Sequence, residues 1–386
     1  MPPTVIDLRR ADDPRDVVHR AVQMLAEGRC VGFPTETDYV AAASVRDAEA
    51  VARLGALVQP RPDEPLLSLA LKSADEALDW SPRLPPVGRR LTRRCWPGPV
   101  AALVPDDDPD GLGRRVPEPA RERIVAAGRL RLRVPGHIMV AESLRMHAGP
   151  LALAEPLLDG QTVVTAADLI ARAGDALALV IDDGRARYAQ PATTIAVEPS
   201  GVRVVHPGIV SADTLRRLSS LMVLFVCTGN TCRSPMAEAL FRQLAAEWLG
   251  CAADEIEERG LVVTSAGLAA WAGAKASAGA LEAMAEIGAD LSGHESQPVT
   301  ETLVRQADLI WTMTASHRAA LLAQFPEAGG RVAMLAPDRQ DVSDPIGGPV
   351  STYRACAGQI RGHLLARLAT LSQELPGLDP GGTTWG

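Results

Sequence analysis

Lysine is almost missing from this chain. Of 39 basic residues only Lys72 and Lys275 are lysines, the rest being arginine. Phosphate chemistry that relies on a lysine in a glycine-rich Walker-type loop therefore has nowhere to sit, and no such loop exists. Long apolar runs are also lacking, which excludes a helical membrane span and leaves no membrane partner expected. The six cysteines, at positions 30, 95, 227, 232, 251 and 356, lack any metal-binding or disulfide spacing, so no metal is expected. The opening MPPTVIDLRRADDP lacks an apolar leader, which makes the cytoplasm the expected compartment and suits reduced thiols. Positive net charge is lacking as well: a balance of −8 argues against a dominant nucleic-acid role, while leaving room for a local basic patch. No internal repeat is present. What remains is an ordinary globular composition, 47% apolar and 22% charged, over 386 residues, long enough for two domains.

The stretch VLFVCTGNTCRSPMAEALF, residues 223–241, carries the most chemistry. Val223 to Val226 are β-formers bounded by a polar loop and read as a buried strand. After the loop, Ser234 reads as an N-cap and Pro235 as the first helical residue, with Glu238 further on. Inward backbone N–H groups backed by a helix N-terminus bind an anion, and such a field favours thiolate over thiol. Cys227 is thus the candidate nucleophile, and the planar fork of Arg233 suits two oxygens of a phosphoryl group.

C-T-G-N-T-C-R-S-P-M-A-E resembles the low-molecular-weight protein phosphatase family, most of all its bacterial protein-arginine phosphatase branch, over about Met222 to Leu371. The resemblance implies a doubly wound α/β domain with a parallel sheet, strands near 222–227, 261–265, 308–312 and 332–335, and a site at the carboxyl end of the first strand. It implies Cys227, Arg233 and Asp344 as catalytic residues, Asp344 being the general acid of the Asp-Pro pair in DVSDPIGGPVSTYR. It further implies that Thr228, Gly229, Asn230, Thr231, Cys232 and Ser234 bind the substrate, supported by Ser265 of T-S-A-G. Additional matches are H-E-S-Q-P-V-T from His294 and A-D-L-I-W-T-M-T from Ala307. Phosphorylated proteins are the implied partners, and no cofactor is needed.

Specificity turns on Thr231. The phosphotyrosine branch usually has an aliphatic β-branched residue there and the phosphoarginine branch a threonine, whose hydroxyl suits a polar guanidinium leaving group. Ile346 after Asp344-Pro345 departs from both branches, and Trp271 is a candidate replacement wall. Phosphoarginine is favoured over phosphotyrosine. Cys232, five positions after Cys227, leaves open a reversible disulfide or a simple loop filler. Arsenate reduction is disfavoured because residues 290–340 hold no relay cysteine.

Residues 1–210 alternate apolar strands with helical stretches and read as mixed α/β: helix over Asp13 to Glu27, strand over Cys30 to Pro34, helix over Asp47 to Leu57, strand over Leu66 to Leu71. Pro-Thr-Glu-Thr at 34–37, Trp96-Pro97-Gly98-Pro99, Arg131-Leu132-Arg133-Val134-Pro135 and His206-Pro207-Gly208 follow in order. Together they resemble YrdC-like threonylcarbamoyl-adenylate synthases over about 14–210. The departures concern the site: Val40 stands in place of a glycine, Gln59-Pro60-Arg61 in place of Lys-x-Arg, and Glu155-Pro156-Leu157 in place of Ser-Ala-Asn. A carboxylate where phosphate should lie repels it, so the fold is expected without the synthase reaction. Retained Thr35, Arg61 and Arg133 leave weak nucleotide or RNA binding open. A short helical linker capped by Ser211 is expected over 211–221, the phosphatase-like domain over 222–373, and a disordered tail over 374–386.

Overall fold

The structure, a computed structural model, describes residues 2–198 and 201–374. The chain divides into two units, one reaching Leu218 and the other starting at Ser219. The expected tail lies outside the described residues except for Glu374, which ends the helix Val350–Glu374.

The second unit is built on a four-stranded parallel sheet. Leu221–Cys227 is flanked by Leu261–Gly267 on one side and Leu309–Thr312 on the other, with Val332–Met334 at the far edge. All seven residues of Leu221–Cys227 are buried, as expected for a parallel strand covered on both faces. The pleat sorts them by period two. Val223 and Phe225 pack with Met236, Phe241, Trp311 and Ile360 on one face, whereas Leu224 and Val226 meet Ala266, Ile310, Leu321 and Val332 on the other. Phe225, Phe241 and Trp311 form an edge-on aromatic triangle with ring centroids 5.5–5.7 Å apart, which fixes the sheet against the helix Arg233–Leu249. These strands lie within two residues of the sequence expectation.

The first unit is a larger mixed sheet. Its strands run in the order Thr4–Asp7, Leu179–Asp182, Val31–Pro34, Tyr39–Ser44, Leu151–Ala154, Ser68–Ala70, Arg129–Arg133, Val100–Pro105, Thr193–Glu198 and Gly201–His206. Helices Pro14–Ala26 and Ala48–Gly55 stand where expected, capped by Asp13 and Asp47. The helix Ala212–Ser219 begins after Ser211, whose hydroxyl accepts from Thr214 N at 3.2 Å. Its Leu215 is buried in the core of the first unit. Residues 212–218 therefore extend that unit, and the next strand starts at Leu221.

Candidate active site

Residues 228–232 link the carboxyl end of Leu221–Cys227 to the helix Arg233–Leu249. One expectation is corrected here: the helix starts at Arg233, its N-cap is Cys232 without a side-chain cap bond, and Ser234 lies inside the first turn. Its hydroxyl is turned inward instead, 2.9 Å from Cys227 Sγ and 2.9 Å from Asn230 Nδ2. A serine freed from capping thus stands beside the thiol as a hydrogen-bond donor.

Asn230 ties the loop together. It sits in the left-handed region at φ 54, where asparagine is tolerated better than most residues, and is completely buried. Its N–H donates to Cys227 Sγ at 3.2 Å, Nδ2 also reaches Ser265 Oγ at 2.8 Å, and Oδ1 accepts from Gln297 N at 2.9 Å. His294 Nε2 lies 2.8 Å from Asn230 O, and Ser265 Oγ donates to Glu238 Oε2 at 2.7 Å. Gly267 allows this approach, since a Cβ there would stand 2.5 Å from Thr228 O. With the loop held from outside, the N–H groups of Gly229, Thr231 and Cys232 have no partner among the described residues. That is the arrangement an anion completes.

Arg233 is buried, and its Nη2 contacts Asp344 Oδ2 at 2.6 Å, although Asp344 is half exposed and lies 111 residues away in sequence. Asp344 Oδ1 accepts from Ile346 N at 3.2 Å, and Cys356 Sγ donates to Ser343 O at 3.3 Å, which ties the acid's loop to the helix Val350–Glu374. Burial pushes the Cys356 thiol up to about 12, so it stays protonated and unreactive. Cys227, Arg233, Asp344, Asn230, Ser234 and Ser265 are thus brought together. Cys232 is buried, a free thiol whose Sγ reaches Ser277 Oγ at 3.2 Å.

Residues 222–376 match the family model for low molecular weight phosphotyrosine protein phosphatases. The protein-arginine-phosphatase of Bacillus subtilis (strain 168) is 39% identical over 151 residues, 38% of this chain and 93% of the relative. A probable low molecular weight protein-tyrosine-phosphatase EpsP of Ralstonia solanacearum is 40% identical over 124 residues, 32% of this chain and 77% of the relative. The chain belongs to the low molecular weight phosphotyrosine protein phosphatase family. Among solved structures, the YwlE arginine phosphatase from Geobacillus stearothermophilus is 31% identical, covering 40% of this chain and 96% of that one, with a TM-score of 0.36. Residues 23–208 match a second family model, that of Sua5, YciO and YrdC proteins, described as telomere recombination.

Within the phosphatase unit, sequence reading missed His317. It is buried at the start of the helix Ala315–Gln324, and its Nε2 lies 2.8 Å from Thr228 Oγ1. Burial, and then the nearby Arg233 guanidinium, hold its imidazole below the usual histidine range. The match A-D-L-I-W-T-M-T stops at Thr314, three residues short of it, and nothing local marks a histidine that meets its partner 89 residues away. Trp271 is not a packed wall, being 87% exposed. It sits on a segment anchored to the phosphatase loop at both ends, by Ala269 N to Thr228 O and Ser277 N to Thr231 O, both at 2.9 Å. Ile346 is likewise exposed, at 69%.

In the first unit the structure gathers Thr35, Arg131, Arg133 and Glu155 beside a 370 Å³ cleft also lined by Arg61 and Ser68. Glu155 pairs with Arg131, lies 3.7 Å from Arg133 Nη1 and accepts from Ser68 Oγ at 3.4 Å. Burial pushes its carboxyl upward, but Arg131, Arg133 and Arg61 together outweigh that and hold it below the usual range. Arg133, fully buried, also bonds Thr37 Oγ1 at 2.6 Å and Glu36 Oε1 at 3.0 Å. Arg61 meets Glu64 at 3.9 Å, and Glu64 accepts from His206 Nε2 at 2.7 Å, which brings the His-Pro-Gly motif to the same region.

Proposed function

We propose that the second unit hydrolyses phosphoarginine in proteins through a phosphocysteine on Cys227. The observation that carries this is a thiol bonded within a loop of unpartnered amides, followed directly by Arg233, which holds Asp344. The Cys227 thiolate attacks phosphorus in line, while Arg233 and the N–H groups of Gly229, Thr231 and Cys232 hold the equatorial oxygens. Asp344 protonates the departing guanidine nitrogen as the P–N bond breaks. It then takes a proton from the water that cleaves the P–S bond, releasing inorganic phosphate and the free thiolate. Ser234, beside Cys227 Sγ, donates to the thiolate as it departs.

Thr231 supports phosphoarginine, as does the resemblance to relatives named protein-arginine phosphatases. The exposed apolar pair Trp271 and Ile346 supports a second reading, in which an aryl leaving group from phosphotyrosine packs at the rim. Cys227→Ser is expected to abolish turnover of a generic aryl phosphate, and retained turnover would sink the assignment. Thr231→Ile is expected to shift kcat/KM from phosphoarginine proteins toward phosphotyrosine proteins. A wild type that already prefers phosphotyrosine decides for the second reading.

The first unit is proposed to retain a fold without the synthase reaction. Glu155 already takes up the positive charge that its converging arginines would otherwise offer to a polyphosphate. A rival reading makes the chain a nucleotide- or RNA-binding module with a vestigial phosphatase. It is favoured only by tight RNA binding together with no phosphatase turnover.

A further inference from the structure

The phosphatase unit holds a cavity of 580 Å³ lined by Arg318, Arg339 and Arg367. Its remaining walls include Val332, Met334 and Pro337, and none of the described residues that line it is acidic. Two of the arginines are pinned along the edge strand Val332–Met334: Arg318 Nε donates to Val332 O at 3.4 Å, and Arg367 Nε donates to Leu335 O at 3.0 Å. Capping free carbonyls at a sheet edge explains part of their presence. It does not explain Arg339, which sits in the left-handed region at φ 63 on an exposed turn, and whose guanidinium has no hydrogen-bond or ion-pair partner among the described residues. The nearest carboxylates in sequence each accept a backbone N–H, Asp338 from Gln340 at 3.1 Å and Asp341 from the wall residue Ala315 at 2.8 Å.

We propose that this cavity is a docking site for acidic side chains of the phosphoprotein substrate, separate from the loop that grips the phosphoryl group. The proposal rests on reading the unit as a protein phosphatase. Its chemistry follows from the Arg318 and Arg339 guanidiniums, which meet no carboxylate among the described lining residues. Carboxylates are the complementary groups, and pinned forks meet them without first being ordered. The position fits a flanking peptide. Ala336, Pro337 and Arg339, which form one wall, run into Asp341, whose carboxylate accepts from the first N–H of the helix bearing His317, and then into Asp344. A substrate chain held there is anchored to the segment that brings the general acid.

The test uses the full chain and three substrates: an aryl phosphate, a phosphopeptide with a run of glutamates, and the same phosphopeptide with glutamines instead. The paired substitution Arg318→Gln with Arg339→Gln leaves Arg367 and the catalytic loop intact. It is expected to raise KM for the acidic peptide roughly three- to tenfold, as two partly exposed charge contacts allow. Values for the glutamine peptide and the aryl phosphate should not move. Wild-type KM for the acidic peptide should also rise with added salt, more steeply than for the glutamine peptide. Equal KM for both peptides in the wild type overturns the docking site, as does an equal response of both to the double substitution. Failure to hydrolyse the aryl phosphate at all strikes instead at the phosphatase reading.

Discussion

At the scale of single residues, His317 has the most to say, because it is buried against the catalytic loop yet carries a titratable ring. Its folded-state value is depressed, so its contribution to stability is complete above the unfolded value of about 6.5 and is lost as pH falls through the folded one. Protonation would place a cation beside Arg233 and oblige the ring to reorganise its contact with Thr228. The urea midpoint of the second unit is therefore expected to fall between pH 7 and pH 5 in the wild type, and to fall less in His317→Asn. Identical pH slopes for the two proteins would show that His317 does not titrate in that window. Cys227, Arg233 and Asp344 were singled out because each sits in a short motif that carries the family resemblance, and the structure brings Arg233 and Asp344 into contact. His317 was not, since its role exists only after two segments meet in space.

At the scale of elements, the loop 228–232 is held from outside by the Ser234 and Ser265 hydroxyls and the Gln297 backbone N–H, and Asn230 is where those bonds converge. Asn230→Ala removes them, leaves buried partners unpaired and keeps a Cβ in the left-handed region. It is expected to destabilise the unit by about 2–3 kcal/mol. Asn230→Gly loses the same bonds but relieves the backbone, and should recover about 1 kcal/mol of that loss in a urea titration. If alanine and glycine prove equal, backbone strain at this position is not a factor. The strand before the loop and the helix after it were readable from the four apolar residues Val223 to Val226 and a Ser-Pro pair. The start of the helix was misplaced for a physical reason: Ser234, an apt cap by type, makes stronger use of its hydroxyl between Cys227 and Asn230.

At the scale of the whole molecule, two units with separate cores share one chain, and their sites differ in how their arginines are balanced. In the first, Glu155 is a permanent counter-ion for Arg131 and Arg133. Incubation of the full chain with threonine, bicarbonate and ATP is accordingly expected to give no threonylcarbamoyl-adenylate, while aryl phosphate turnover proceeds in the same tube. Product detected by mass spectrometry would overturn the loss of the synthase reaction. The mixed α/β character of this unit was visible in its alternating segments. The ion cluster was not, because Arg133, Glu36 and Glu155 lie far apart in sequence. In the second unit Arg233 is also paired, with Asp344 at 2.6 Å, but this counter-ion is half exposed and belongs to a loop. Entry of an anion there is an exchange and not an addition. A chloride or a lone carboxylate offers Arg233 nothing that Asp344 does not already give, whereas a phosphoryl dianion brings a second charge and enough oxygens for the loop amides as well. Crowded among cellular anions, such a site sorts its visitors by charge before any chemistry begins.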